Sequence, residues 1–177
     1  MSENYFQLFG LPVGFEVDAE ALALRYRDLQ RAAHPDRYAG ASERERLLSV
    51  QQASLINEAY STLKDSLARA RYLLELNGIT LSDTDTRMDP MFLMEQMELR
   101  EALDAAPAAA DPFAALAKVR NAAEATERQL VEELAALFQR GEAEALQQAP
   151  ERLRKLQFMR KLLDEVDERE GDLAHNI

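Results

Sequence analysis

The chain has 177 residues and a formal net charge of −11, from 21 basic and 32 acidic side chains. It contains 0 cysteines and only 2 histidines, which excludes disulfides, thiolate nucleophiles and metal sites held by cysteine. The negative charge opposes binding to nucleic acid, which requires clustered basic residues. No basic leader with an apolar segment opens the chain and no membrane-length apolar run occurs. We therefore expect a cytoplasmic protein with neither a nucleic-acid nor a membrane partner.

Apolar residues that recur every three or four positions predict an all-α fold, because no segment shows the clean alternation of a strand. The first predicted unit, residues 1–76, opens with a short helical turn. Its main helix begins after Asp18, a favourable N-cap residue, and runs to about Ala33. The helix is expected to stop there, since the residue before Pro35 is disfavoured in helical conformation. The tripeptide that contains this proline is therefore predicted to be a loop.

A capping box at residues 42–45 predicts the next helix of this unit. Asp65 marks a break after that helix, and a shorter helix then ends at Asn77-Gly78, a common C-terminal signal. The apolar stripe predicted for the longer helix consists of Leu48, Leu55, Ile56, Ala59 and Leu63.

Residues 77–89 are polar and rich in turn-forming side chains, so they are predicted to connect two units. An acidic N-cap followed by proline at the first helical position occurs at residues 89–90 and again at 111–112. Pro150 predicts a kink or restart in the last helical segment. The simplest packing of these elements is a three-helix bundle over residues 90–177.

The helix that ends near Ala33 carries a basic face on an acidic chain. Four arginines and two aspartates lie between Arg25 and Arg37. A local positive face on such a chain favours an acidic protein surface as its partner. By itself, the His-Pro-Asp tripeptide at residues 34–36 is better explained by a solvated helix followed by an ordinary proline turn.

An enzymatic interpretation of that tripeptide would use His34 as a general base and Asp36 as its orienting carboxylate. The proline between them holds both in a stiff turn, and the neighbouring sequence supplies no nucleophile or oxyanion site. We therefore predict no catalytic residue, no cofactor and no metal.

Four segments resemble, in order and spacing, a J-domain, the domain through which co-chaperones stimulate ATP hydrolysis by DnaK-class chaperones. They are YFQLFGL at 5–11, the basic helix, the His-Pro-Asp tripeptide, and INEAYSTL at 56–63. Arg37 replaces the more usual lysine after the tripeptide. The resemblance implies a helical-hairpin fold for the first unit and docking onto the chaperone through an exposed loop and a basic face. The implied chaperone-binding residues are His34, Pro35, Asp36, Arg25, Arg27 and Arg31.

The helix predicted after Pro90 carries two apolar stripes at about 100° per residue. The stripe that would serve the bundle core consists of Phe92, Leu99 and Leu103. The second stripe lies on nearly the other side and consists of Leu93, Met94 and Met97, bordered by Glu98, Arg100 and Glu101. It is either an adaptable, Met-rich binding face or a face buried because the helix is sandwiched between neighbours.

The last predicted helix has one apolar face, formed by Leu153, Leu156, Met159, Leu163 and Val166. Phe158 projects roughly opposite that face, beside Arg154 and Lys161. A lone exposed aromatic among charges fits an interface anchor. It is also explained as a single surface residue of no consequence.

The segments FLMEQMELRE at 92–101 and RKLQF at 154–158 resemble the C-terminal domain of the HscB family, J-type co-chaperones of iron-sulfur cluster assembly. The resemblance implies two partners: an IscU-type scaffold protein and an HscA-type chaperone of the DnaK class. Arg87 lies beside the position of a basic residue in that family. Two alternatives remain, a J-domain co-chaperone for another client and an all-α protein that dimerises through the second stripe. The implied scaffold-binding residues are Leu93, Met94, Met97, Glu98, Arg100, Glu101 and Phe158.

Overall fold

The structure is a computed structural model that describes residues 4–38, 40–81 and 88–175. The chain divides into two compact units, Met1–Gly78 and Ile79–Ile177. Within the described ranges every regular element is helical, which confirms the all-α fold class. Residues 82–87 of the connection predicted over 77–89, Arg87 included, lie outside the described residues. The α-helices are α1 (Tyr5–Leu8), α2 (Ala19–Ala33), α3 (Glu43–Lys64), α4 (Ser66–Leu76), α5 (Pro90–Ala105), α6 (Pro112–Arg140), α7 (Ala143–Leu146) and α8 (Ala149–His175).

Local capping sets the helix ends of the N-terminal unit as predicted. The Asp18 carboxylate accepts hydrogen bonds from the N–H groups of Glu20 and Ala21 at 2.9 and 3.0 Å and so begins α2. The side chain of Ser42 and that of Glu45 cap one another's backbone at the start of α3. One local prediction was wrong: Pro35–Tyr38 forms a 3₁₀ turn rather than an irregular loop. Proline fits its first position because no N–H is required there.

Aromatic side chains fasten α1 to the rest of this unit. The Tyr5 ring stacks on Tyr72 with centroids 4.4 Å apart, and the Tyr5 hydroxyl donates to Glu58 at 2.9 Å. Burial, reinforced by this hydrogen bond, raises the pKa of Tyr5 to about 12. The largest fully buried side chains of the unit are Phe6, Phe9, Leu22, Ile56, Leu63 and Leu74.

The predicted apolar stripe of α3 was only partly right. Ile56, Ala59 and Leu63 are buried, whereas Leu48 and Leu55 are 54% and 44% exposed. The buried line includes Ser49, seven residues before Ile56. Leu48 and Leu55 each stand one residue earlier, about 100° around the helix from that line.

The C-terminal unit is a three-helix bundle of α5, α6 and α8, with α7 in the connection before α8. The Asp89 carboxylate caps α5 and that of Asp111 caps α6, as the two Asp-Pro motifs predicted. α6 ends at Gly141, whose φ of +67° is readily adopted only by glycine. Pro150 lies in the first turn of α8, so the chain restarts there. In the described part of the chain, no helix is long and apolar enough to cross a membrane.

α8 buries a broader sector than one stripe because it packs against both α5 and α6. Leu162 is fully buried, although the predicted face omitted it, while Leu163 is only half-buried. The flank that faces α5 consists of Phe158, Leu162, Glu165 and Arg169, at the four- and three-residue spacing of one helix side.

Candidate partner-binding sites

The His-Pro-Asp tripeptide forms a tight exposed turn at the end of α2. The backbone of His34 is extended, which ends the helix, and the Arg37 N–H donates to the His34 carbonyl at 3.0 Å. Nδ1 of His34 accepts from the Asp36 N–H at 3.3 Å. The side chains of His34 and Asp36 are 55% and 90% exposed. The local hydrogen bonds therefore hold the turn while both polar side chains face solvent.

This geometry does not support the enzymatic interpretation of the tripeptide. The Asp36 carboxylate lies 3.6 Å from Nδ1 of His34, too far for a hydrogen bond. The same nitrogen accepts a hydrogen bond from the Asp36 N–H at 3.3 Å, so its contact is with the backbone rather than with the carboxylate. The pair is not arranged as a base and its orienting acid.

The three arginines predicted to form the basic face are all exposed. Arg31 lies 3.8 Å from Asp28, a loose surface pair, whereas Arg25 and Arg27 form no ion pair within the described residues. A fourth guanidinium joins this surface, because Arg37 donates from Nη1 to the Arg31 carbonyl at 3.3 Å. That contact places a cation at the negative end of the α2 dipole.

The opposite side of α2 is polar and aromatic where it meets α3. Tyr26 stacks on Tyr60 with centroids 4.0 Å apart, and its hydroxyl donates to Asn57 at 2.9 Å. Gln30 donates to the same Asn57 oxygen. These contacts fix the orientation of α2, so its arginines point away from the core of the unit.

The second apolar stripe of α5 lies on the surface. Leu93, Met94 and Met97 are 39%, 60% and 61% exposed, so the alternative in which α5 is sandwiched does not hold. Phe92 and Leu103 are buried as the core stripe predicted, while Leu99 is half-buried.

Met91 extends this surface and was missed by the sequence reasoning. Its side chain is 73% exposed. The signal that could have revealed it is the spacing of Met91, Met94 and Met97, since three-residue steps keep side chains on one side of a helix.

The three charged residues at the border differ in their surroundings. Glu98 and Glu101 are exposed and form no ion pair in the described ranges. Arg100 is already engaged: its guanidinium forms two hydrogen bonds of 3.1 and 3.0 Å with the Glu165 carboxylate. It also lies 5.5 Å from the centre of the Phe158 ring.

The interpretation of Phe158 as a lone exposed aromatic was wrong. Its ring packs edge-on against Phe92, with centroids 6.1 Å apart, and is half-buried. The helical wheel placed it opposite the main apolar face, but that side of α8 faces α5. Phe158 therefore joins the core beside α5 while part of its ring remains accessible.

Comparison with known proteins agrees with the two resemblances, to a J-domain in the first unit and to the HscB C-terminal domain in the second. The family model described as the HSCB C-terminal oligomerisation domain matches residues 88–167. A co-chaperone protein HscB homolog from Vibrio cholerae serotype O1 strain M66-2 is 50% identical over 171 residues, which cover 96% of this chain and 98% of that protein.

Two solved structures share the fold along nearly the whole chain. The chaperone HscB from Vibrio cholerae gives a TM-score of 0.87 at 48% identity and covers 96% of this chain and 99% of its own. The human co-chaperone HscB gives a TM-score of 0.87 at 31% identity and covers 96% and 83%. These relatives are named as chaperones or co-chaperones rather than enzymes, in agreement with the prediction of no catalytic activity. The chain belongs to the HscB family of co-chaperones, all-helical proteins with an N-terminal J-domain and a C-terminal helical domain.

Proposed function

We propose that this co-chaperone binds an IscU-type iron-sulfur scaffold protein, delivers it to an HscA-type chaperone in the cytoplasm and stimulates that chaperone's ATP hydrolysis. Cluster assembly and transfer would be promoted because one molecule brings the client and the ATPase signal together. The observation that carries the proposal is the presence of two exposed surfaces of opposite chemistry, one on each compact unit. We assign the J-domain to residues 1–76, the connection to 77–89 and the scaffold-binding domain to 90–177.

The chaperone would dock on the exposed turn and the basic face of α2. We assign this contact to His34, Pro35, Asp36, Arg25, Arg27 and Arg31. Phosphoryl transfer in the chaperone depends on positioning and electrostatics within its own site, so the co-chaperone need not contribute a reacting group. Its contribution is a coupling free energy between docking and hydrolysis, typically ~1–3 kcal/mol.

The scaffold protein would dock on the outer face of α5. We assign this contact to Leu93, Met94, Met97, Glu98, Arg100, Glu101 and Phe158. Flexible methionine side chains adapt to an apolar partner surface, and the two exposed glutamates favour basic residues around it. Arg100 and Phe158 would act partly by holding α5 against α8, because both already contact neighbours in the bundle.

The direct test is single-turnover ATP hydrolysis by purified HscA and, separately, by DnaK, with this protein added alone and with IscU. We expect the acceleration with both proteins to exceed the product of the separate effects, and only for HscA. Stimulation that IscU leaves unchanged would retain the J-domain function and indicate a different client. No stimulation of either ATPase would contradict the proposal.

The exposed α5 face also keeps the dimer alternative open. If two copies pair through Leu93, Met94 and Met97, light scattering will detect a dimer that Met97→Asp converts to a monomer. A wild-type protein that stays monomeric at the concentrations used for scaffold binding would contradict pairing and leave the face free for the scaffold.

A further inference from the structure

An exposed leucine lies on the basic face of α2. Leu24 is 54% exposed, although Leu22, two residues earlier, is fully buried. At about 100° per residue, Leu24 shares the outward side of the helix with Arg27 and Arg31, three and seven residues later. Scattered single leucines on a surface are ordinary. Leu24 differs because it lies on the basic face of α2, which we assign above to the chaperone contact through its arginines.

Leu24 is open to solvent, and the cations beside it form one loose ion pair within the described residues, between Arg31 and Asp28 at 3.8 Å. α2 attaches to α3 through Tyr26 and Gln30, which lie on the other side of the helix. Arg25 and Arg27 form no ion pair in the ranges that the structure describes, even though the chain carries 32 acidic residues. The face thus presents an apolar side chain beside Arg27, which has no ion pair in the described residues, and Arg31, whose pair with Asp28 is loose and exposed.

We propose that Leu24 is an apolar anchor of the chaperone contact, and that the chaperone segment docking on α2 places an apolar side chain between carboxylates. This inference rests on the proposed function and adds a residue to it. Carboxylates would pair with Arg27 and Arg31, while the apolar side chain of the partner would cover Leu24. Charge complementarity selects this occupant, since a purely apolar segment would bury Arg27 without a carboxylate and a purely acidic one would leave Leu24 exposed.

The two kinds of contact would have different roles. Exposed ion pairs steer the encounter and weaken as salt rises. A desolvated apolar contact adds affinity mainly by slowing dissociation, and it depends little on salt. Leu24 would therefore determine specificity: a chaperone with an acidic surface but no matching apolar side chain would be attracted and then released quickly.

The test uses the full chain with Leu24→Ala, Leu24→Met, Arg27→Gln and a matched control, Leu76→Ala, in which a leucine 43% exposed at the end of α4 is truncated. The readout is the half-maximal concentration for stimulating the HscA-type ATPase at about 50 mM and about 300 mM NaCl, on either side of physiological screening. We expect Leu24→Ala to raise that concentration ~5- to 30-fold at both salts, the size typical of an interface anchor. Maximal stimulation should stay unchanged.

Conservative rescue separates an interface role from a structural one. Leu24→Met keeps an apolar side chain of similar volume and should remain within about twofold of the wild type. Leu76→Ala should have no effect, and the effect of Arg27→Gln should shrink as salt rises. Equal behaviour of Leu24→Ala and Leu76→Ala, alongside a clear loss for Arg27→Gln, would overturn this inference and leave the proposed function standing. A wild-type protein that fails to stimulate the ATPase would overturn both.

Discussion

The outer faces of α2 and α5 are both largely exposed helix surfaces in the described part of the chain, but they differ in chemistry. α2 presents arginines next to an exposed polar turn, whereas α5 presents Met91, Met94 and Met97 with acidic residues at its edge. Exposed charged surfaces raise the association rate with a partner and slow its dissociation little. Adaptable apolar surfaces stabilise the bound complex by burying apolar area. If the proposed function holds, we expect a transient contact with the ATPase on one unit and a more persistent contact with the client on the other.

The largest expected effect separates the two surfaces completely. His34→Gln should abolish stimulation of the HscA-type ATPase, because the turn offers no second imidazole, and should leave scaffold affinity unchanged by titration calorimetry. His175→Gln, at the exposed end of α8, is the matched control and should change neither quantity. A loss of scaffold binding in His34→Gln would show that the two surfaces are not independent.

Phe158→Ala should affect both folding and binding, because the ring packs on Phe92 and beneath Arg100. Truncating a fully buried phenylalanine costs about 3–5 kcal/mol, so this half-buried ring should lower the free energy of unfolding by roughly 2 kcal/mol. Scaffold affinity should fall by ~1–3 kcal/mol. Urea unfolding and calorimetry on the same sample measure the two effects. Weakened binding with full stability would show that Phe158 acts only as a contact residue.

Met97→Ala should weaken scaffold binding by ~1–3 kcal/mol and leave the free energy of unfolding unchanged. The physical reason is its position, since 61% of the residue is exposed and its truncation creates no cavity in the bundle. Met97→Leu preserves most of the apolar volume and should restore binding. Unchanged affinity in Met97→Ala, with lowered stability, would place this side chain in the core.

The smallest expected effect is a difference in salt dependence between the two surfaces. Raising NaCl from about 50 to about 300 mM should increase the half-maximal concentration for ATPase stimulation about fivefold, since exposed charges are screened. Scaffold affinity, which in the proposed function rests mainly on apolar burial, should change by less than about twofold. Equal salt sensitivity at the two surfaces would contradict the division between charge and apolar contact.

Much of the fold was predictable because helix ends depend on contacts within one turn. Asp18 and Asp111 cap their helices through carboxylates that accept N–H groups two or three residues ahead. Gly141 ends α6 because its backbone adopts a positive φ. The 3₁₀ geometry after His34 was not predicted, since proline is compatible with both a loop and the first position of such a turn.

The candidate sites were predictable in their existence and less so in their detail. The spacing of apolar residues around α5, at about 100° per residue, correctly separated buried Phe92 from exposed Met97. The same method failed for Phe158 and omitted Leu162, because a wheel drawn around one apolar face cannot show that α8 packs against two helices. Leu48 was wrongly predicted to lie in the core stripe of α3. The pattern of apolar residues along one helix does not show which side packs on its neighbours, and the side that α3 buries passes through Ser49 instead.

The sequence by itself determined where most helices begin and end, that a His-Pro-Asp turn follows a basic helix, and that α5 carries more apolar surface than one core needs. These features follow from hydrogen bonds and side-chain spacing within a few residues. Only the tertiary structure decided which apolar stripes are covered, that Arg100 is held by Glu165 and Phe158, and that Leu24 remains open beside Arg27 and Arg31. Those properties depend on how many neighbours each helix meets, which residue spacing along a single helix does not encode.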